Sequence, residues 1–215
     1  MSTLSEKIAS FKAQIGANAP AEVLSTMQAA TEALLASGIE NRALQAGDKL
    51  PDFELPNQHG VTKSIYSYLE HGPLVLNVYR GGWCPYCNLE MKALVDALPE
   101  IHARGAQLVG MSPETPEKTA ETGSKNGANF DILSDLGNRV SSVLGLVFEL
   151  PESLRPLYQQ FGIDIPAFNG DTTFKLPLPA TYIVRKDGVV AYGFAKADYT
   201  LRMEPSAILD QLEAL

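Results

Sequence analysis

The sequence predicts an α/β fold built on a mixed sheet, and three observations predict it. From residue 51 onward, short apolar runs of strand length alternate with helical periodicities. The stretch from Leu74 to Met111 reads as strand, helix, strand, a unit that crosses over right-handed into parallel pairing. Nearer the C-terminus, Asp187-Gly188 stands between two apolar runs, a hairpin signal that adds antiparallel strands to the parallel ones.

Taken in order, residues 1–46 read as a helical extension and residues 47–215 as the main domain. Leu4, Ile8, Phe11 and Ile15 fall at helical spacing, as do Val23, Met27 and Leu34 after a break at Pro20, and Ser37-Gly38 supplies a stop. The extension is either a lid packed on the domain or a dimerisation arm that would make a homodimer; its short apolar stripe favours the lid. The domain opens at Gly47-Asp48-Lys49-Leu50-Pro51. Leu74–Tyr79 is a strand ending at Arg80-Gly81-Gly82, where the chain must turn. A helix follows from Pro85, with Leu89, Leu94, Val95 and Leu98 on one side, an expected interruption at Pro99 and a stop at Gly105. Gln107–Met111 is the next strand, and Ser112-Pro113-Glu114-Thr115 a loop entering a helix. Thr181–Val184 and Val189–Tyr192 flank the hairpin turn, and a last helix from about Pro205 carries Ile208, Leu209 and Leu212.

Composition narrows the function. The chain has 215 residues, 45% of them hydrophobic, enough for one domain with an appendage. Its 17 Lys and Arg against 25 Asp and Glu leave a net charge of −8, which repels phosphate backbones and argues against nucleic acid as a partner. No apolar run approaches the ~18 residues needed to span a bilayer, and the polar start Met1–Lys7 has no hydrophobic leader region. These features point to a cytoplasmic protein without a membrane partner. Two cysteines cannot make a disulfide framework for a domain of this size.

Those two, Cys84 and Cys87, sit where a strand turns into a helix. Pro85 belongs at the first helical position, which needs no N–H, so Cys84 is expected as the N-cap and as the more exposed thiol. First-turn N–H groups and the positive helix end favour thiolate there by at most ~2 kcal/mol, roughly 1.5 pKa units. Cys87 lies three residues on, upon the same helix face, so an intramolecular disulfide closes with little movement. A C-x-x-C beside a strand–helix–strand unit reads as a redox motif. Zinc needs about four ligands, and His59, His71 and His102 are not spaced to supply the rest; no metal or other cofactor is implied. His102 reads as a surface or packing residue, and Tyr86 as a lining or packing aromatic.

Trp83-Cys84-x-x-Cys87 resembles thioredoxin, and Cys84-Pro85-Tyr86-Cys87 the glutaredoxin tetrapeptide. The wider frame resembles the peroxiredoxins of the alkyl hydroperoxide reductase/thiol-specific antioxidant group. It is carried by Pro51–Leu55, Asn57–Gly60, the strand into Arg80, Leu133-Ser134-Asp135 and Pro179–Tyr182. The resemblance covers residues 47 to 215 and implies a thioredoxin fold with peroxiredoxin insertions. It also implies that Cys87, followed by Glu90, is the peroxide-attacking cysteine. The sequence departs from that group's pattern in three places. Its motif threonine is Cys84, its motif proline is Arg80, and the place of its peroxide-binding arginine holds Pro179. Arg80 is then either a replacement guanidinium or an ordinary strand-end cation. Pro179 is either the cis-proline that faces the C-x-x-C in thioredoxin or a trans turn proline.

Three functions follow. The first is a thiol peroxidase cycling through a Cys84–Cys87 disulfide that a thioredoxin-like or glutathione-like thiol reduces. The second is a disulfide oxidoreductase in which Cys84 attacks. The third is a non-enzymatic redox sensor. The whole-domain resemblance favours the first, with Cys84 and Cys87 catalytic and Arg80, Trp83, Pro85 and Pro179 supporting them.

Overall fold

The computed structural model describes residues 2–215. Helix α1 (Leu4–Asn18) begins at a capping box, in which Thr3 accepts from the Glu6 N–H and Glu6 from the Thr3 N–H. Helix α2 (Ala21–Ala36) starts after Pro20 and is terminated by Gly38 in the left-handed region, at φ 69°. A single 3₁₀ turn, Ile39–Arg42, leads into the domain. Strands β1 (Glu54–Pro56) and β2 (Thr62–Ser64) form a small antiparallel pair ahead of α3 (Ile65–Leu69).

The central unit is β3 (Leu74–Val78), α4 (Pro85–Ala103), β4 (Gln107–Ser112), α5 (Pro116–Asn126) and β5 (Ile132–Ser134). A connecting region follows with α6 (Arg139–Val143), β6 (Val147–Glu149), α7 (Arg155–Gln160), α8 (Ile165–Asn169) and β7 (Lys175–Pro177), where β6 and β7 pair antiparallel. The chain ends with β8 (Ala180–Val184), β9 (Val190–Ala195) and α9 (Pro205–Glu213). The main sheet runs β5-β4-β3-β8-β9; its β3–β4 and β4–β5 pairs are parallel, and β3–β8 and β8–β9 antiparallel. This is the predicted mixed sheet, with the hairpin turning at Asp187-Gly188.

Side chains alternate between two cores, one on each face of the sheet. Val75, Leu108, Ile132 and Ile183 face α4 and α9, while Leu76, Val109, Leu133 and Tyr182 face the layer containing α3 and α6. Helix α4 continues through Pro99 to Ala103, contrary to the expected interruption. Pro99 is on the exposed face, where water can serve the carbonyl it leaves unpaired, while buried Leu98 and Ile101 anchor the helix on both sides. No helix among the described residues is long and apolar enough to cross a membrane.

The N-terminal segment feeds both cores. Leu4 and Ile8 of α1 join the layer of α4 and α9, and Ile39 and Ala43 join the opposite layer. Phe11 meets Tyr86 edge-on with ring centroids 5.3 Å apart, and Lys12 Nζ donates to Thr200 Oγ1 at 3.0 Å. Ile39 is fully buried whereas Leu35 is 56% exposed. Ile39→Ala is therefore expected to cost about 2–4 kcal/mol in urea unfolding, and Leu35→Ala less than about 0.5 kcal/mol. Equal small effects would mean that the segment is not part of the cooperative core.

Candidate active site

Strand β3 delivers Tyr79 and Arg80 to a tight loop, Gly81–Trp83, that feeds α4. Two glycines are required there. Gly81 has φ 151°, with Trp83 Nε1 only 2.3 Å from where a Cβ would stand, and a Cβ on Gly82 would lie 2.0 Å from Thr122 Oγ1. Pro85 occupies the first turn of α4 and Cys84 is its N-cap residue, as predicted.

Glu114 holds this loop from below. Its carboxylate accepts from the Gly82 N–H at 2.9 Å, from the Tyr79 hydroxyl at 3.1 Å and from Ser112 and Thr122, each at 3.3 Å. Burial nonetheless pushes this carboxyl up to about 7, the hydrogen bonds opposing it. Asn88 closes the loop from α4, donating to the Gly82 carbonyl at 2.8 Å.

Both cysteines are free thiols and both are buried, Cys84 1% and Cys87 2% exposed. The expectation that Cys84 would be the exposed one is corrected by what packs around the loop. Tyr86 and Tyr199 meet edge-on at 5.6 Å, as do Trp83 and Tyr158 at 5.6 Å, and all but Tyr158 pack in the same core cluster as the two sulfurs. The Cys84 sulfur makes no capping hydrogen bond of normal geometry, and the Cys87 N–H ranks behind the Cys87 thiol, Arg80 and Arg202 in lowering its thiol. Burial pushes Cys84 up, but a hydrogen bond from the Cys87 thiol and the charges of Arg80 and Arg202 outweigh it and bring the thiol to about 6. Burial raises Cys87, and its role as donor to Cys84 raises it further, while Arg202 pulls it down. The pair is thus pushed apart, Cys84 towards thiolate and Cys87 towards thiol.

A guanidinium does stand at the sulfurs, but it belongs to a residue the sequence reading missed. Arg202, in the loop before α9, donates from Nη2 to Cys87 Sγ at 3.4 Å. Its Nε donates to Glu90 Oε2 at 2.7 Å, and Nη1 donates to the carbonyls of Tyr199 and Leu201. Glu90 lies one helical step beyond Cys87 and is itself buried; burial pushes its carboxyl up to about 7 against the pull of Arg202. The one available signal was a lone arginine among apolar neighbours, Leu201-Arg202-Met203. Arg80 is buried as well and donates from Nη2 to the Tyr158 hydroxyl at 2.7 Å. Its guanidinium carbon lies 4.5 Å from the Tyr199 ring centre and 5.0 Å from that of Trp83. It is therefore no ordinary strand-end cation.

Pro179 is not a cis-proline, because none of the described peptide bonds is cis. The preceding Leu178 N–H is already committed to the Leu146 carbonyl, and the trans bond carries the chain directly from β7 into β8. His102 is exposed near the far end of α4. The described residues contain no cluster of three or more potential metal ligands.

The sequence model of the AhpC/TSA family matches residues 46–193. Over 103 residues the chain is 31% identical to peroxiredoxin Bcp of Escherichia coli, covering 48% of this chain and 65% of that protein, so it spans somewhat less than two thirds of that relative. Chloroplastic peroxiredoxin Q of Triticum aestivum is 28% identical over 177 residues, 82% of this chain and 71% of that protein. Among solved structures, peroxidoxin BcpB of Mycobacterium tuberculosis superposes with a TM-score of 0.63 at 23% identity, covering 80% of this chain and 98% of that one. The bacterioferritin comigratory protein of Xanthomonas campestris, studied for alkyl peroxide reduction, gives 0.59 at 17% identity over 80% of this chain and 96% of that one.

Glu114 generates a pH prediction. Its folded pKa of about 7 exceeds the ordinary 4.5, so between those values the folded chain holds the extra proton. The stability this group contributes is present below about pH 4.5 and lost as pH rises through about 7. Relative to Glu114→Gln, the native protein should lose on the order of 2 kcal/mol between pH 5 and 8 in urea titrations. Parallel pH profiles for the two proteins would show that the carboxyl does not titrate in this range.

Proposed function

The chain belongs to the AhpC/TSA family, and on that footing we propose that it is a thiol peroxidase in which Cys87 attacks the peroxide and Cys84 resolves. The observation that carries this reading is the Arg202 guanidinium on the Cys87 sulfur at 3.4 Å, backed by Glu90. That bond stabilises a thiolate at Cys87 and opposes the burial and the Cys84 contact that push its thiol up.

In the first step the Cys87 thiolate attacks the terminal oxygen of ROOH. A sulfur–oxygen bond forms, the O–O bond breaks, and the leaving alkoxide takes a proton to become ROH. The Cys84 sulfur then attacks the sulfenic sulfur, forming the disulfide and releasing the oxygen as water. Two thiols of a thioredoxin-like or glutathione-like reductant return the pair to dithiol. The buried, aromatic-lined site suits hydrogen peroxide and alkyl hydroperoxides, whose reacting end is small and uncharged. Trp83 walls the site, and Pro85 sets the helix start that holds both sulfurs. Pro179 joins β7 to β8.

The test is sulfenate trapping with single variants. Cys84→Ser is expected to form a sulfenic acid with peroxide and accumulate it, while Cys87→Ser stays inert. Arg202→Met should slow peroxide consumption roughly 100-fold, the scale on which loss of one charge-stabilising donor acts. Sulfenate on Cys87→Ser but not on Cys84→Ser would reverse the two roles. Wild-type protein with insulin-disulfide reductase activity but no thioredoxin-coupled peroxide turnover would replace the reading by disulfide exchange. Oxidised wild-type protein should carry the Cys84–Cys87 bond within one chain, measured by mass spectrometry without reductant, and a mainly disulfide-linked dimer would count against the resolving role of Cys84.

A further inference from the structure

Arg80 is a buried cation without a carboxylate. It is 2% exposed, yet it enters none of the ion pairs among the described residues. Of its donors, one reaches the Tyr158 hydroxyl, while Nε has no partner. The aromatic faces of Trp83, Tyr158 and Tyr199 surround it. The nearby groups able to carry negative charge are the phenols of Tyr158 and Tyr199 and the two active-site thiols. Burial pushes the Tyr199 phenol above its ordinary value, and an ordinary phenol is neutral at pH 7, so sulfur is the group that can supply an anion.

The other buried guanidinium is differently placed. Arg202 has its own carboxylate, Glu90, at 2.7 Å. Arg202 thus has a carboxylate partner and, among the described residues, Arg80 has none. Removing one partner from a buried ion pair costs far more than the pair contributes, because the remaining charge is left without solvent or counter-ion.

We infer that the Cys84–Cys87 thiolate is the counter-ion of Arg80, so that closing the disulfide strands a buried cation and makes that disulfide a strong oxidant. The inference rests on the two cysteines being the redox pair, as proposed above. Its chemistry is an exchange: the disulfide and two RSH give RSSR, one site thiol, one site thiolate and one proton released to solvent. One S–S bond breaks, another forms, and two electrons pass from the reductant to the site. Arg80 favours the right-hand side because only there does it face an anion. A dithiol stabilised in this way has a disulfide that gives up its bond readily. The low pKa of Cys84 accords with the same charge pairing. Arg80 is thus a positioning residue that acts through the sulfurs and sets their redox poise.

The experiment is redox equilibration of purified full-length protein in glutathione buffers, without peroxide, comparing wild type with Arg80→Met and Arg80→Lys. Arg80→Met should lower the equilibrium constant for reduction at least tenfold, a potential more negative by about 30 mV per tenfold. Arg80→Lys, which restores a positive charge facing the thiolate, should shift the constant less than Arg80→Met. An unchanged constant in Arg80→Met, or equal shifts in both variants, overturns the inference. Thermal unfolding of the wild type gives a second reading that needs no variant. By linkage the reduced protein should melt above the oxidised one, and the opposite order also overturns the inference. Because neither measurement involves peroxide, sulfenate trapping can fail while these succeed, and the reverse.

Discussion

A guanidinium buried against a sulfur is the constraint from which the rest of the site takes its form. Arg202 carries a full charge into a core of aromatic and aliphatic side chains, and such a charge persists there only when its donors are matched. Glu90, the backbone carbonyls of Tyr199 and Leu201, and Cys87 provide the match. These partners come from two places in the chain, α4 and the segment around Arg202 itself. Cys87 and Glu90 share one face of α4, while Arg202 arrives from the segment after β9. The helix and the late loop are therefore locked in register by one side chain. An N-cap position alone, with at most ~2 kcal/mol of helix-dipole help, is a weaker source of acidity than these two cations, and in this protein it must also work against complete burial.

The scaffold beneath the cysteines follows a similar logic with the charge reversed. Glu114 brings a carboxylate into the interior and surrounds it with donors from Tyr79, Gly82, Ser112 and Thr122. Through it, the end of β3, the turn before α4 and the first turns of α5 are joined at one point. The glycine pair at positions 81 and 82 makes this possible, since a side chain at either would collide with Trp83 or Thr122. The loop is short because it is pinned at both ends, and its rigidity is what keeps two sulfurs three residues apart on a common face.

How much of this was legible in the sequence depended on whether the determining signal was local. The strand–helix–strand unit, the Asp187-Gly188 hairpin, the two N-terminal helices and the Cys84-Pro85 helix start all rest on periodicity or turn chemistry within about twenty residues, and the structure has them. Pro99 misled because an exposed proline in a long helix costs little when buried neighbours hold both sides. The exposure of Cys84 misled because burial is decided by Tyr199 and by α1, far away in the chain. The connecting region from α6 to β7 had no clear pattern, being made of elements of three to six residues; yet it contributes Tyr158, which holds Arg80. Arg202 was illegible for the same reason. It sits 115 positions from the sulfur it touches, and no spacing rule joins them. The family frame placed an arginine at position 179 and found proline; the fold supplies a guanidinium from another strand of the chain.

That separation has a consequence for how the protein comes into being. The ribosome delivers Cys84 and Cys87 long before Arg202, and at roughly 5–20 residues per second the interval is on the order of ten seconds. During that time neither sulfur has the Arg202 guanidinium, so it keeps more of the chemistry of an ordinary thiol, mostly protonated at neutral pH. The start of α1 is tied to the same late segment, for the Leu4 and Ser5 N–H groups both donate to Glu204. The Arg202 guanidinium reaches the sulfur only once the segment carrying Arg202 and Glu204 has folded back onto α1 and α4.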